Sequence, residues 1–260
     1  MFREIIEKVI EGYKASSKLT KITWIALASG YVVTLALIAC MVLTPSKPIV
    51  AFSLEVPAKQ HQQAIFMVKP FTPERQSIKS GGTGFLVQPS TGGEPIIVTN
   101  AHVCRMDPSK NYILLEQGLS VYAARIIAIS LVTDLCVIQP PPEVVEQRRP
   151  YRLAKSEPTP GEKVTVYGHP FLRPLTKSSG NYIAVSREPV DISDERMGFD
   201  ATHILRVART DFMVFPGNSG SPVLNSSEEV VGVIFAYEGH DHVGLFIPLM
   251  DLIDFIARKE

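Results

Sequence analysis

Gly217-Asn218-Ser219-Gly220-Ser221-Pro222 is the stretch on which the reading of this 260-residue chain turns. Ser219 has a glycine two positions before it and another directly after. Glycine tolerates backbone angles that other residues avoid, so the chain can bend sharply here and present the Ser219 hydroxyl. The same bend can aim the N–H groups of Gly217 and Ser219, with Asn218 between them, at one point where an oxyanion could be held. The plainer alternative is a surface turn, for which Gly, Ser, Asn and Pro are the usual residues. A base and an orienting carboxylate upstream decide between the two.

Both are present. Thr99-Asn100-Ala101-His102 closes the apolar run Pro95-Ile96-Ile97-Val98, which has the character of a buried strand. Asp134 heads a second apolar run, Leu135-Cys136-Val137-Ile138. A serine hydroxyl is a weak nucleophile, so His102 would take its proton during attack and return it to the leaving group. Asp134 would hold the imidazole in the needed tautomer and stabilise the imidazolium. The chain order His, Asp, Ser is that of chymotrypsin rather than of subtilisin or the α/β-hydrolases.

With these residues in place the chain resembles the trypsin-like serine proteases, and most closely their HtrA (Deg) branch. The matching segments are Gly81-Gly82-Thr83-Gly84-Phe85-Leu86-Val87, Thr99 to Val103, Asp134 to Ile138 and Val166-Tyr167-Gly168-His169-Pro170-Phe171. Thr210-Asp211, Pro216 to Gly220 and Gly244 to Pro248 complete the set, all collinear between residues 64 and 258. The resemblance implies an all-β fold of two six-stranded antiparallel β-barrels (chymotrypsin-like), with His and Asp from the first barrel and Ser from the second. Departures from the HtrA pattern are a histidine at 169, where asparagine is common, and Gly-Ser-Pro after Ser219, which is similar to the glutamyl endopeptidases. No PDZ domain is expected after the last strand and helix.

Strands are expected near 64–69, 83–88, 95–100, 112–116, 121–129 and 135–139, and again near 163–168, 181–188, 203–209, 221–225, 230–237 and 243–247. The Pro-containing stretch 140–150 would cross between the barrels, 64–139 and 151–258. Leu249, Leu252, Ile253 and Ile256 recur at helical spacing, which predicts a C-terminal helix.

Ahead of this domain, Ile22 to Leu43 is 22 residues without a charge, roughly 33 Å as a helix and enough to cross a bilayer. Arg3, Lys8, Lys14, Lys18 and Lys21 precede it, against Lys47 alone shortly after, so residues 1–21 are expected in the cytoplasm and the barrels outside. A transmembrane helix is therefore expected at 22–43, with 44–63 as a stalk. A cleaved signal peptide, or lipidation at Cys40, are the competing readings. Twenty-six basic and 26 acidic residues balance, which gives no argument for a nucleic-acid partner.

The resemblance places the substrate pocket at Met213, Val214 and Phe215 and at Phe235, Ala236 and Tyr237. No acid stands there, so an apolar floor for aliphatic side chains is expected rather than preference for Lys or Arg; the alternative is that these residues are core. His240 and His242 are read as an exposed polar loop rather than a metal site, and no cofactor is expected. Cys104 and Cys136 each follow a candidate catalytic residue by two positions, which suits either a disulfide or two small buried thiols. The sum is an expected membrane-anchored serine endopeptidase acting on protein or peptide substrates, in HtrA-like quality control or regulatory proteolysis, with a homo-oligomer among the arrangements open to it. The alternative is a latent, membrane-tethered scaffold with a protease fold.

Overall fold

Short runs of buried aliphatic residues between turns leave the chain little choice but strands, and their edges are satisfied by closing the sheets on themselves. The computed structural model describes residues 63–70, 81–104, 112–187, 190–192, 202–204, 206–239 and 243–258. The first sheet contains β1 (Ile65–Pro70), β2 (Gly82–Gln88), β3 (Ile96–Thr99), β4 (Tyr112–Gln117), β5 (Ser120–Ser130) and β6 (Leu135–Gln139). Their order is β1-β4-β5-β6-β3-β2, and antiparallel pairing of β1 with β2 closes the barrel. Register places Leu86 opposite Ile97 and Ile97 opposite Ile138, so consecutive strands deliver large aliphatic residues to one level of the interior. Phe66, Phe85, Leu115 and Leu135 fill the same core. Each such burial is worth about 1.5–3 kcal/mol relative to exposure. A single helical turn, α1 (Ala101–Cys104), follows β3.

The crossing contains more structure than a Pro-containing link predicts. Pro141 and Pro142 open a short helix, α2 (Pro142–Gln147), whose Val144 is buried. Proline is preorganised for a first helical turn, where its missing N–H costs nothing. β7 (Tyr151–Arg152) then pairs in parallel with Val87 and Gln88 of the first sheet. The next residue, Leu153, bridges to Val230 of the second barrel.

That barrel is built from β8 (Lys163–Gly168), β9 (Thr176–Ser186), β12 (Val207–Met213), β13 (Pro222–Leu224), β14 (Val230–Glu238) and β15 (Val243–Pro248). The closed order is β12-β15-β14-β13-β8-β9. Between β9 and β12, β10 (Val190–Ile192) and β11 (Thr202–Ile204) form a separate antiparallel pair. β9 begins at Thr176, earlier than its apolar residues predict, because the polar run Thr176 to Gly180 pairs in register with β8, with Ser179 also hydrogen-bonded to the Thr165 hydroxyl at 3.1 Å. The expected strand at 203–209 divides into β11 and β12.

The C-terminal helix, α3 (Leu249–Arg258), buries Leu249, Leu252 and Ile256. Arg206 ties it down, 3.2 Å from Asp251 and 3.0 Å from Glu157. Among the described residues no helix is long and apolar enough to cross a membrane. The expected span 22–43, the segment 1–21, the stalk up to residue 62, and His240 and His242 lie outside the described residues.

Candidate active site

His102 lies in α1 and Asp134 in the turn before β6, strands apart in sequence but adjacent in the barrel because β3 pairs with β6. Asp134 is fully buried and has φ 49°, a left-handed conformation that aspartate accepts more readily than most residues. That bend lets its backbone and side chain serve the same neighbour. Its carbonyl accepts from Ala101 N–H at 3.1 Å and from the Asn100 side-chain amide at 2.9 Å. Its carboxylate accepts from His102 N–H at 2.9 Å and from His102 Nδ1 at 2.7 Å. A carboxylate only accepts, so the Nδ1 position carries the proton and Nε2 is left as the basic nitrogen.

Two residues beyond each partner, Cys104 and Cys136 form a disulfide with Cα atoms 6.5 Å apart. Of the two readings open in the sequence, the bonded one holds. The bond fastens α1, which carries His102, to β6, whose first residue follows Asp134.

Ser219 sits on the loop between β12 and β13, at the seam of the two barrels. Its carbonyl accepts from Thr83 N–H at 2.7 Å, and a Cβ placed on Gly82 would stand 2.6 Å from that carbonyl and 2.7 Å from Val103 Cγ2. The serine backbone is therefore one thin residue away from the neighbour of His102. The Ser219 hydroxyl makes a long contact, 3.4 Å, with the Phe235 carbonyl.

Backbone accounting in this loop is informative, since buried N–H and C=O groups are almost always paired. Pro216 O accepts from Phe171 N–H at 2.6 Å, and Asn218 O from Ser221 N–H at 2.9 Å. Gly217 O accepts from the Thr83 hydroxyl at 2.8 Å. Asn218 N–H donates to Phe215 O at 2.9 Å and Gly220 N–H to Ile234 O at 2.8 Å. Only the N–H groups of Gly217 and Ser219 have no acceptor among the described residues of this stretch. Asn218, included in the oxyanion set on sequence grounds, has its N–H committed to the turn and leaves that set. Gly217 has φ 96°, and a Cβ there would stand 2.3 Å from the His169 carbonyl, so the position requires glycine.

The expected pocket residues divide. Val214 and Phe235 are buried in the barrel cores, Val214 in the second and Phe235 in the larger cluster. Their burial, Val214 just past the end of β12 and Phe235 within β14, leaves their side chains no open face towards a substrate. Met213, Phe215 and Ala236 remain partly accessible and Tyr237 is exposed. Phe215 stacks on Phe171, ring centroids 5.4 Å apart.

Two contributors carry no signature of their own in the sequence: Thr83, one residue of a glycine-rich strand, and the turn at His169–Arg173. His169 is buried; its Nδ1 contacts the Arg173 carbonyl at 2.9 Å, while Nε2 has no hydrogen-bond partner among the described residues. Burial lowers its pKa below the ordinary value, and Lys69 nearby acts in the same direction. The residue types give no hint that this turn meets the serine loop; only the fold brings them together.

Two closed barrels with a His–Asp pair on one and a glycine-flanked serine turn on the other define the chymotrypsin-like class of folds. The family model of the trypsin-like peptidase domain matches residues 82–233, and the chain belongs to that family. It is 33% identical over 186 residues to a DegP-like protein of Chlamydia pneumoniae, a periplasmic serine endoprotease by name, covering 68% of this chain and 34% of the relative. It is 33% identical over 174 residues to the serine protease HhoB of Synechocystis, covering 65% and 37%. The chain thus spans about a third of the length of these curated relatives. Among solved structures, a protease of M. tuberculosis in its active form superposes with a TM-score of 0.60 at 19% identity, covering 82% of this chain and 91% of the other. The serine endoprotease of Yersinia pestis gives a TM-score of 0.59 at 20% identity, covering 79% and 68%. At these identities the two structures speak for the fold alone.

Proposed function

We propose that this chain is a serine endopeptidase anchored in a membrane by residues 22–43 and acting outside the cytoplasm, in HtrA-like quality control or regulatory proteolysis. The observation that carries the reading is the serine loop, in which Gly217 and Ser219 keep their N–H groups uncommitted while the surrounding carbonyls are fixed. Two such donors side by side are what a tetrahedral oxyanion requires. In this reading Ser219 attacks the peptide carbonyl, His102 Nε2 takes its proton and delivers it to the departing amine, and Asp134 holds the Nδ1–H throughout. Water, activated by the same histidine, then releases the acyl group. Met213 and Ala236 offer apolar walls, which favours aliphatic side chains before the cleaved bond.

Support for the compartment comes from the Cys104–Cys136 bond, since disulfides persist in oxidising surroundings. The basic residues before the uncharged span point the same way. A serine-reactive fluorophosphonate tests the chemistry: the full chain should label at Ser219, and Ser219→Ala should abolish both labelling and casein turnover. An unlabelled but folded protein would instead favour a latent scaffold. Protease accessibility of the barrels from outside intact cells tests the topology.

A further inference from the structure

Thr83, on β2 of the first barrel, is completely buried and uses every polar group it has. Its hydroxyl accepts from His169 N–H at 3.0 Å and donates to Gly217 O at 2.8 Å. Its N–H donates to Ser219 O at 2.7 Å. Its carbonyl accepts from the Thr99 hydroxyl at 2.7 Å. Three of these partners belong to the second barrel, two of them in the serine loop. The fourth, Thr99, stands three residues before His102. One residue thus joins the segment that carries the base, through its carbonyl, to the segment that carries the nucleophile, through its N–H and hydroxyl.

We infer that the Thr83 hydroxyl is a positioning residue for the oxyanion site, holding the Gly217–Asn218 peptide so that the flanking N–H groups of Gly217 and Ser219 converge; this rests on the serine-endopeptidase reading above. The Gly217–Asn218 peptide lies between the two donors, and its carbonyl is buried. Without the hydroxyl that carbonyl would be a buried acceptor with no partner, an expensive state. Rotation of the peptide relieves it at the expense of the Asn218 N–H bond to Phe215 O, and Gly217 offers no Cβ to resist. The rotation alters the backbone on both sides and takes the two N–H groups out of alignment. The strands alone cannot prevent this, because the loop from 214 to 221 makes no ladder hydrogen bonds with the first barrel; Thr83 supplies the contacts instead.

The test compares Thr83→Val, which keeps the shape and removes the hydroxyl, with Thr83→Ser, which keeps the hydroxyl, in the full chain in detergent. With an internally quenched peptide bearing valine before the cleaved bond, Thr83→Val should lose about 100-fold in kcat, the scale of losing one oxyanion donor. KM should stay within about threefold, and Thr83→Ser should return kcat to within about threefold of the parent. Independently of turnover, the backbone amide resonances of Gly217 and Ser219 should shift in Thr83→Val and match the parent in Thr83→Ser. A parent whose turnover survives Ser219→Ala defeats the endopeptidase reading, while the amide resonances still decide the role of Thr83. Unshifted amides in Thr83→Val, or no rescue by Thr83→Ser, would overturn the inference. So would failure of both Thr83→Val and Thr83→Ala to fold, since Thr83 would then be a requirement of folding and nothing more.

Discussion

Asp134 holds His102 at two points at once: Oδ1 accepts the backbone N–H at 2.9 Å and Oδ2 meets the ring Nδ1 at 2.7 Å. The first contact fixes where the histidine stands and the second fixes which way its ring faces. Asparagine at 134 could keep the first and would disrupt the second, since its amide nitrogen donates where the carboxylate accepted. Asp134→Asn should therefore fold with a near-parent thermal midpoint and lose about 10⁴-fold in kcat. Kinetics beside a melting curve check both halves; loss of less than tenfold in kcat would remove Asp134 from the proposed triad.

Gly217 is a position in the serine loop with no room for a side chain. With φ 96° and the His169 carbonyl where a side chain would begin, alanine must displace the turn at His169–Arg173 or abandon the loop conformation. Gly217→Ala should cost at least about 1–3 kcal/mol of stability and at least 100-fold in kcat/KM. Denaturant unfolding and steady-state kinetics read the two effects separately.

The Cys104–Cys136 bond closes a loop with a sequence separation of 32. Chain-entropy reasoning for a loop of this size gives a stabilisation of about 3–4 kcal/mol. Replacing both cysteines by alanine should lower the thermal midpoint by roughly 6–15 °C. A calorimetric scan in the presence and absence of reductant gives the comparison: the parent should fall towards the double variant on reduction, and the double variant should not move.

His169 sets a pH dependence whose sign is determined. Burial lowers its pKa below the ordinary 6.5, so the unfolded chain takes up a proton in a range where the folded chain does not. The stabilisation from the neutral ring is complete above about pH 6.5 and is lost as the pH falls below it, at up to about 1.4 kcal/mol per pH unit. Lys69, Glu116 and the Arg173 carbonyl are the groups around it, and the first two form their own ion pair at 2.7 Å. His169→Asn does not titrate and should show a flatter midpoint-against-pH curve as the pH falls below about 6.5. Parallel curves would refute the assignment.

Most strands were legible in the sequence because barrel interiors demand aliphatic runs, and β3, β6 and β15 carry them almost unbroken. β7 and the first half of β9 were not, since Tyr151–Arg152 is too short for a pattern and Thr176–Gly180 is too polar for one. At the site, His102, Asp134 and Ser219 could be picked out because each lies in a short, restrictive motif. Thr83 could not, because a hydroxyl that bridges two loops looks in sequence like any strand threonine. Nor could the burial of Val214 and Phe235, which depends on how the barrels pack rather than on composition.

Tyr151 and Arg152 extend the first sheet, and Leu153 at once meets the second barrel at Val230. The crossing is a strap stitched to both halves at adjacent residues, with no slack for a hinge. Under the endopeptidase reading proposed above, such a strap would resist any parting of the halves around a bulky substrate, so an unravelled chain should be cut faster than a folded one.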